Sequence, residues 1–311
     1  MSGTAAVLIA HRAPSTTGAD LVSTFLGGRT PTTLRAYRAD LADFTRWLDA
    51  RDVDAAAHQL LAEGPGHANA LVLAYRANLG DRQLAPATVN RRLAALRSLV
   101  KLARVIGLVS WALEVPGLAA QAYRDTRGPG LRGVRRLLRA TAARRDAKGL
   151  RDHAIVRLLF DLGLRRAEVA ALELGDMDLE QATLAVLGKG RTAKERLSLP
   201  EPTQQALRGW LGARGTEAGP LFRNCDRAKK GGRLTSTSVY RMVRALGTAV
   251  GLSVRPHGLR HAAITAALDL TGDLRAVQRF SRHKDVRVLT VYDDNRADLG
   301  GDVARRVAAQ A

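Results

Sequence analysis

The sequence predicts a mainly α-helical protein of two domains, one all-helical and one mixed α/β, which is mostly helical with a small antiparallel sheet. The chain has 311 residues, 46% of them apolar, and is long enough for two hydrophobic cores. Apolar residues recur at spacings of three and four through both halves, as they do in amphipathic helices. The convincing strand patterns are confined to residues 182–187 and 195–199, which a glycine-containing loop joins as a hairpin.

The N-terminal part predicts a tail followed by a compact helical domain. Residues 1–19 are rich in Ala, Ser, Thr and Gly and lack periodicity, which is typical of a flexible tail. Pro31 stands at a helix start, and the apolar residues after it fall on one face. Further helices are predicted over residues 67–79 and from Ala85 onward. We therefore expect the helical domain to cover residues 20–117.

The remaining chain predicts a linker and a second domain. Residues 118–130 contain Gly128-Pro129-Gly130 and no apolar stripe, which is typical of a linker. The second domain is then expected to cover residues 131–311. Helical patterns within it run over residues 131–143, 150–162, 166–172, 201–211, 236–250, 258–270 and 274–280.

The charge of the chain predicts a polyanionic partner. The formal net charge is +20, and an excess of this size usually serves phosphate contacts. A structural RNA-binding protein is equally basic, and 42 arginines among 49 basic residues can also reflect a GC-rich genome. Residues 1–117 carry a net charge of +4, whereas residues 118–311 carry +16. The positive charge is therefore concentrated in the second domain.

The composition argues against several classes of protein. No apolar run approaches the ~18 residues of a membrane span, and no signal peptide is expected. Cys225 is the single cysteine, so no internal disulfide can form, and this fits a reducing cytoplasm. His257 and His261 have a spacing that zinc sites use, but there is no second histidine pair. We expect no metal, no cofactor and no membrane partner.

Six polar residues of the second domain are the reagents that metal-free cleavage of a phosphodiester needs. They are Arg165, Lys189, His257, Arg260, His283 and Tyr292. Two guanidiniums can clamp and neutralise a phosphate, imidazoles and an ammonium can move protons, and a phenol can attack phosphorus. Each residue alone is weak support, because arginine is abundant here and most histidines and tyrosines are structural.

The local surroundings of these residues add support. Lys189 lies between two glycines at the predicted hairpin tip, and unlike arginine it can donate a proton near neutral pH. Lys194, at the far end of the same loop, remains an alternative. His257 and Arg260 are three residues apart at a helix start, where backbone N–H groups favour an anion.

Two further positions bear on the same site. Glu168 follows Arg165 by three residues and is within reach to orient a neighbouring guanidinium. Tyr292 follows an apolar run and precedes Asp293 and Asp294, in a stretch that we expect to be exposed.

The sequence resembles the tyrosine recombinase/integrase family of phage and bacterial site-specific recombinases. The matching stretches are residues 161–172, 186–200, 256–261 and 280–292. Lys189 follows Arg165 by 24 residues and Tyr292 follows His283 by nine, as in the family. The resemblance implies that the helical domain is a core-binding (SAM-like) DNA-binding domain and that the second domain is a tyrosine recombinase catalytic domain.

The resemblance also implies a mechanism for site-specific DNA recombination or integration. Tyr292 attacks the scissile phosphate and forms a 3′-phosphotyrosyl bond while a 5′-hydroxyl leaves. The two arginines stabilise the transition state, the two histidines assist, and Lys189 protonates the leaving oxygen. The 5′-hydroxyl of a partner strand reverses the step, so neither ATP nor a metal is required.

The implied partners are double-stranded DNA at specific recombination sites and further copies of the chain. Family members form tetramers on DNA and exchange a C-terminal helix, for which residues 298–309 are the candidate. Such an enzyme is expected in the cytoplasm, associated with the nucleoid. Two alternatives remain: a type IB topoisomerase-like enzyme that relaxes DNA, and an inert DNA-binding relative.

Two features depart from the family pattern. The family usually has Leu-Gly-His before the tyrosine segment, whereas this chain has Ser281-Arg282-His283. An arginine at the glycine position is expected to alter the local backbone and to put another cation beside the phosphate. The acidic pair Asp293-Asp294 is unusual next to a polyanion.

Contacts with DNA outside the active site are predicted on exposed basic helix faces. The candidate residues are Asn90, Arg91, Arg97, Arg241 and Arg244. A solvated basic face without a ligand is the alternative interpretation.

Overall fold

The computed structural model describes most of the chain. The described residues are 18–29, 31–119, 128–188, 190–226, 231–293, 304–305 and 307–310. The chain divides into two compact units, Met1–Gln121 and Ala122–Ala311. This division falls within the stretch 118–130, where the sequence predicts a linker, although the domain limits themselves remain a prediction.

The N-terminal unit is all-helical within its described residues. Its helices are α1 (Gly18–Leu26), α2 (Pro31–Trp47), α3 (Val53–Ala62), α4 (Gly64–Asp81) and α5 (Pro86–Val105). Prolines in the first turns of α2 and α5 start these helices without losing a hydrogen bond. Helix α1 begins at Gly18, within the stretch that the sequence predicts as tail, and α3 had not been predicted.

The core of the N-terminal unit forms where the apolar faces of these helices meet. Phe44, Tyr75 and Leu96 are among its fully buried side chains. The rings of Phe44 and Tyr75 pack edge to face with their centroids 5.0 Å apart. The Tyr75 hydroxyl donates a hydrogen bond of 2.8 Å to the buried Asp43, so the phenol keeps a polar partner.

The C-terminal unit is mostly helical with one small sheet. Its helices are α6 (Gly130–Ala142), α7 (Ala147–Asp161), α8 (Arg166–Ala171), α9 (Glu201–Arg214), α10 (Ser236–Ala249), α11 (Pro256–Thr271), α12 (Leu274–Ser281) and α13 (Arg287–Asp293). Its strands are β1 (Met177–Asp178), β2 (Thr183–Leu187) and β3 (Lys194–Ser198). The fold class predicted from the sequence, mainly α with a small antiparallel sheet, is confirmed.

The sheet is antiparallel in the order β1-β2-β3. Strands β2 and β3 form the predicted hairpin, with Thr183 opposite Ser198 and Leu187 opposite Lys194. Strand β1 pairs only two residues with β2 and had not been predicted. The buried residues Leu184 and Val186 alternate with more exposed ones along β2, so the sheet covers the core with one face.

Two apolar clusters hold the C-terminal unit together. The larger one centres on α7, whose residues Ile155, Leu158 and Leu159 are fully buried. A smaller cluster lies between α11, α12 and α13 and includes Leu289 and Tyr292. No helix in the described ranges is long and apolar enough to cross a lipid bilayer.

Candidate active site

The turn between α7 and α8 places Arg165 at the start of α8. Gly163 makes this turn with a φ of +54°, a conformation that glycine adopts at little cost. Leu164 is fully buried and anchors the turn in the core. Arg165 then caps α8 in an extended conformation, with 29% of its side chain exposed. The guanidinium is therefore fixed at its base and accessible at its tip.

Glu168 fixes this arginine from inside the unit. Its Oε2 accepts a hydrogen bond of 2.9 Å from the Arg165 backbone N–H, and its Oε1 accepts one of 2.8 Å from Arg165 Nη1. Burial alone would raise the pKa of Glu168. The hydrogen bond from the Arg165 backbone and the charges of Arg282 and Arg165 outweigh it, so the pKa is lowered. Glu168 is thus an ionised carboxylate at neutral pH.

Arg260 joins three segments of the site. It lies on α11 and is 1% exposed. Its guanidinium donates to the backbone carbonyls of Gly163 and Ser281, and Nη2 lies 3.4 Å from His283 Nε2. Burial, followed by the charges of Arg165 and Arg282, lowers the pKa of Arg260 to about 10. This arginine remains charged at neutral pH, within a cluster of like charges.

The two imidazoles of the site are both shifted towards the neutral form. His257 is the second residue of α11, and although it reaches the surface, desolvation and then the charges of Arg260 and Arg165 lower its pKa. His283 is more enclosed, and burial followed by the charges of Arg260 and Arg165 lowers its pKa to about 4. Its Nδ1 is buried without a hydrogen-bond partner among the described residues. Both rings are therefore neutral at neutral pH, and their lowered pKa makes them weak bases as they stand.

Tyr292 lies on α13 and is 6% exposed, so the prediction that it lies in an exposed stretch is wrong. Leu289 and Tyr292 are three residues apart on one helix face and pack together against α11. Burial raises the pKa of the Tyr292 phenol, against the opposing charges of Arg260 and Arg165. Its ring centroid is 5.9 Å from that of His283.

His261, one residue after Arg260 on α11, also lies close to Tyr292. Its ring centroid is 4.5 Å from that of Tyr292, and the residue is 7% exposed. Its Nδ1 lies 3.4 Å from Thr265 Oγ1, one turn further along α11. The i, i+4 spacing of His261 and Thr265 is the single signal in the sequence that could have placed this ring on a packed face.

Arg282 stands where the family usually has a glycine. Its φ of 55° and ψ of 36° are those that a glycine would adopt, so the backbone is left-handed here. The side chain is 3% exposed and its Nη2 pairs with Glu168 Oε2 at 3.0 Å. The expectation of an added cation beside the phosphate therefore stays a prediction, and the structure adds that this charge is paired with Glu168.

A basic cleft of about 340 Å³ opens beside Arg165 and the hairpin tip. Its lining residues are Arg165, Gly188, Gly190, Arg191, Arg282 and Lys284. Lys189 itself lies outside the described residues, but its two glycine neighbours line this cleft. Lys194, the alternative lysine, pairs instead with Asp176. The cleft has the size and charge to hold a phosphate group.

The residues predicted to contact DNA elsewhere divide into two groups. Arg91 pairs with Asp40 at 2.6 Å, and Arg97 donates to the Val115 carbonyl at 3.0 Å. Asn90 likewise makes its hydrogen bonds within the N-terminal unit, to the backbone of Leu118. Arg241 and Arg244, the other two candidates, lie exposed on α10. Arg241 also lines a cleft of about 520 Å³.

Metal ligation has no candidate among the described residues. No group of three or more His, Cys, Asp or Glu side chains converges there in a way that could hold an ion. His257 and His261, which share a possible zinc spacing, lack further ligands in this part of the chain. The described side chains of this site carry guanidiniums, imidazoles, one carboxylate and one phenol.

Known proteins share both units of this chain. The profile of the Phage integrase family matches residues 132–298, and that of the Phage integrase N-terminal SAM-like domain matches residues 26–105. A tyrosine recombinase of Synechococcus elongatus is 42% identical over 289 residues, which cover 90% of this chain and 90% of the relative.

Solved structures share the fold at low sequence identity. The Tn1549 transposon integrase in complex with transposon right end DNA has a TM-score of 0.70 and 17% identity, covering 95% of this chain and 100% of that one. The XerH site-specific recombinase bound to a palindromic difH substrate has a TM-score of 0.65 and 19% identity, covering 89% and 80%. Together with the Synechococcus relative and the two matching profiles, these likenesses lead to one assignment: the chain belongs to the phage integrase family of tyrosine recombinases.

Proposed function

We propose that this recombinase cleaves and rejoins DNA strands at specific sites through a 3′-phosphotyrosyl intermediate. The observation that carries the proposal is the gathering of Arg165, Arg260 and His283 around one turn, with Tyr292 on the neighbouring helix. Guanidiniums beside a neutral imidazole and a phenol are the groups that phosphoryl transfer from DNA to a tyrosine needs.

Double-stranded DNA is the proposed substrate. The Tn1549 integrase and XerH, which share the fold, are each seen bound to DNA. The net charge of +16 over residues 118–311 supports contact with a phosphate backbone. The exposed α10 residues Arg241 and Arg244 are the proposed backbone contacts of this unit. An enzyme with this substrate would work in the cytoplasm, at the nucleoid.

The proposed cleavage step is a transfer of phosphorus from one oxygen to another. Tyr292 Oη forms a bond to the scissile phosphorus, the bond from phosphorus to the 5′-oxygen breaks, and Arg165 and Arg260 neutralise the charge that builds up. The phenolic proton passes to an imidazole, His257 or His283, whose lowered pKa the negative charge of a bound phosphate would raise. Lys189 donates the proton that the departing 5′-oxygen requires. A 5′-hydroxyl from a partner strand then reverses each transfer.

Attack requires Tyr292 to become accessible. A phenol that is 6% exposed cannot meet a duplex where it lies, so we propose that α13 moves when DNA binds. Helix α13 has seven residues, and of its described side chains Leu289 and Tyr292 are buried, in a small apolar cluster. Few buried contacts make such a helix one of the least costly elements to displace.

Self-assembly is the remaining part of the proposal. Recombination joins strands from two sites, so four copies are proposed to act on one synapse, exchanging a C-terminal helix over residues 298–309. Most of that segment lies outside the described residues, and the proposal rests on membership of the family.

Covalent trapping tests the proposed function. The substrate is a nicked duplex carrying DNA that flanks the gene, since attachment sites often lie there, and the readout is a protein–DNA adduct on a denaturing gel. The full-length protein should form the adduct in EDTA, and Tyr292→Phe should form none. Tyr37→Phe is the matched control, because Tyr37 packs on Phe25 in the N-terminal unit.

Other outcomes would select other functions. An adduct that persists in Tyr292→Phe would remove this residue as the nucleophile. Relaxation of supercoiled DNA without a preferred site would favour a topoisomerase, and site-specific binding with no adduct would favour an inert relative.

A further inference from the structure

Arg282 is the most heavily bonded side chain of the site that the proposed chemistry does not use. Its Nη1 donates to the carbonyls of Leu162 and Phe280 at 3.2 and 3.3 Å. Its Nη2 donates to the Gly163 carbonyl at 3.4 Å and to Glu168 Oε2 at 3.0 Å. One guanidinium thus ties the end of α12 to the turn before α8.

Glu168 connects Arg282 to Arg165. One carboxylate oxygen, Oε2, accepts from Arg282 Nη2 and from the Arg165 backbone N–H, and the other accepts from Arg165 Nη1. The carboxylate therefore lies between an inner arginine, 3% exposed, and an outer one, 29% exposed. Both arginines line the basic cleft, but the inner pair is almost closed off from solvent and the outer guanidinium is the accessible one.

Arg282 also contacts the α7–α8 turn that leads to Arg165. Arg282 holds the carbonyls of residues 162 and 163, immediately before the backbone that leads to Arg165. Arg260 donates to the same Gly163 carbonyl. Without Arg282, the turn would lose two of its side-chain anchors, and Glu168 would be free to tilt about its bonds to Arg165.

We propose that Arg282 is a positioning residue: it fixes Glu168 and the α7–α8 turn from the interior, so that Arg165 meets the scissile phosphate in one orientation. The inference rests on the proposed function, because it concerns the step in which Arg165 contacts phosphate. Misplacement of a catalytic group by about 1 Å can cost as much as ~10²-fold in rate. Arg282 therefore acts on the rate of cleavage and not on the affinity for DNA.

Arg282→Gly is the first test, because glycine adopts the φ of +55° without strain. The measurement is single-turnover adduct formation on the nicked substrate, with DNA affinity and thermal unfolding measured on the same full-length protein. We expect cleavage to slow by roughly 10–100-fold with the affinity unchanged. Arg279→Ala, which removes an exposed arginine of the same helix α12, is the control for charge and should cleave at the wild-type rate.

A double-mutant cycle with Glu168→Gln separates positioning from a general loss of structure. If Arg282 acts through Glu168, adding Arg282→Gly to Glu168→Gln should slow cleavage by less than about 3-fold further. The double variant also removes both members of the buried Arg282–Glu168 ion pair, so neither is left without its partner. It remains a usable comparison with Glu168→Gln if Arg282→Gly alone does not fold.

The outcomes are distinguishable. Effects of the two substitutions that multiply, or wild-type cleavage by a folded Arg282→Gly variant, would overturn the role of Arg282. A reduced affinity for DNA in step with the rate would also overturn it, since that is the behaviour of a phosphate contact. Failure of the wild-type protein to form any adduct would instead remove the proposed function.

Discussion

Asp43 in the N-terminal unit and Glu168 in the C-terminal unit are both buried carboxylates that hold arginines. Asp43 accepts hydrogen bonds from Tyr75 at 2.8 Å, from Arg82 at 2.9 and 3.0 Å, and from Arg92 at 2.5 Å. Glu168 accepts from the outer arginine of the site at 2.8 and 2.9 Å and from the inner one at 3.0 Å. The two networks are alike in chemistry but differ in whether each arginine has a carboxylate partner.

Around Asp43 every arginine has a carboxylate partner, including Arg46, which pairs with Asp43 at 3.3 Å. A second buried carboxylate, Asp40, pairs with Arg91 at 2.6 Å and lies 3.8 Å from Arg92. Around Glu168, one carboxylate serves Arg165 and Arg282, and Arg260 finds only backbone carbonyls and an imidazole among its described partners. A network that only stabilises a fold can pair each arginine with a carboxylate, whereas a phosphate site keeps a guanidinium that no carboxylate of its own accepts from.

The largest effect on stability is expected from Asp43→Asn, which removes one of the two carboxylates that pair the arginines of the N-terminal unit. Removing the carboxylate leaves three arginines beside a neutral amide, with side-chain exposures of 14% for Arg92, 40% for Arg82 and 73% for Arg46. Breaking a buried ion pair typically costs about 3–5 kcal/mol, and the exposure of Arg82 and Arg46 puts the expected loss at the lower end of that range. We expect this loss in the unfolding free energy of the N-terminal unit, measured by hydrogen exchange of the α4 and α5 amides in the full chain. Arg46→Ala is the control, since Arg46 is 73% exposed and its ion pair contributes about 0–1 kcal/mol. A loss below about 1 kcal/mol for Asp43→Asn would contradict the comparison.

Arg165→Ala should have the next largest effect, and on rate rather than on folding. The site would lose a contact made to the transition state, so cleavage should fall by about 10²–10³-fold, equivalent to about 2.7–4 kcal/mol. The measurement is single-turnover adduct formation, with unfolding followed in parallel. Arg91→Ala, which removes an arginine of equal charge from the N-terminal network, should leave the chemical step unchanged at saturating protein. Near-wild-type cleavage by Arg165→Ala would show that the positive charge of Arg165 does not serve catalysis.

Acid should separate the two networks by the pH at which each loses stability. His283 has its pKa lowered to about 4, so the unfolded chain gains a proton near pH 6.5 that the folded chain does not. The stability from His283 is present above about pH 6.5 and is lost as the pH falls towards 4. Asp43, with its pKa lowered to about 2 by hydrogen bonds and charges that outweigh its burial, loses its contribution only between about pH 4 and 2. Asp40, whose pKa burial raises, acts in the opposite direction.

The pH test compares the wild-type protein with His283→Gln, which does not titrate. The difference in unfolding free energy between them should shrink by roughly 2 kcal/mol as the pH falls from 6.5 to 4, because only the wild type must keep an imidazole unprotonated. Denaturant unfolding at each pH gives this difference, and contributions from other groups cancel in it. A difference that stays constant with pH would mean that the imidazole is not held neutral by its surroundings.

Most helices could be predicted because their signals are local. Pro31 and Pro256 mark helix starts, and the hairpin between β2 and β3 follows from alternation around a glycine-rich loop. Helix α3 was missed because Asp54-Ala55-Ala56-Ala57 carries little apolar periodicity, and β1 is too short to leave a pattern. Such elements owe their existence to contacts with the rest of their unit.

The site was harder to predict where a side chain's direction depends on distant partners. Tyr292 is buried because α13 packs on α11, and His261 meets it from 31 positions away in the sequence. Arg282 points inward because three of its four acceptors come from residues 162, 163 and 168, more than a hundred positions earlier. Local sequence shows which residue types are present, but only the packed unit decides which of them carry an unpaired charge.

Asn90 offers the smallest and most discriminating test of the N-terminal unit. Its side chain accepts a hydrogen bond of 2.7 Å from the Leu118 backbone N–H and donates one of 2.9 Å to the Leu118 carbonyl. If the hydrogen bonds of Asn90 serve only the fold, Asn90→Ala should lower the stability of the N-terminal unit by about 1–2 kcal/mol, because two partly buried hydrogen bonds are lost. The affinity for DNA, measured by footprinting at a temperature where the variant is folded, should then change less than it does for Arg241→Ala, whose exposed guanidinium lies on α10. A loss of affinity with no loss of stability would instead make Asn90 a DNA contact. The contrast between a unit that bonds its polar side chains internally and one whose arginines remain available to DNA would then hold only for the buried carboxylates.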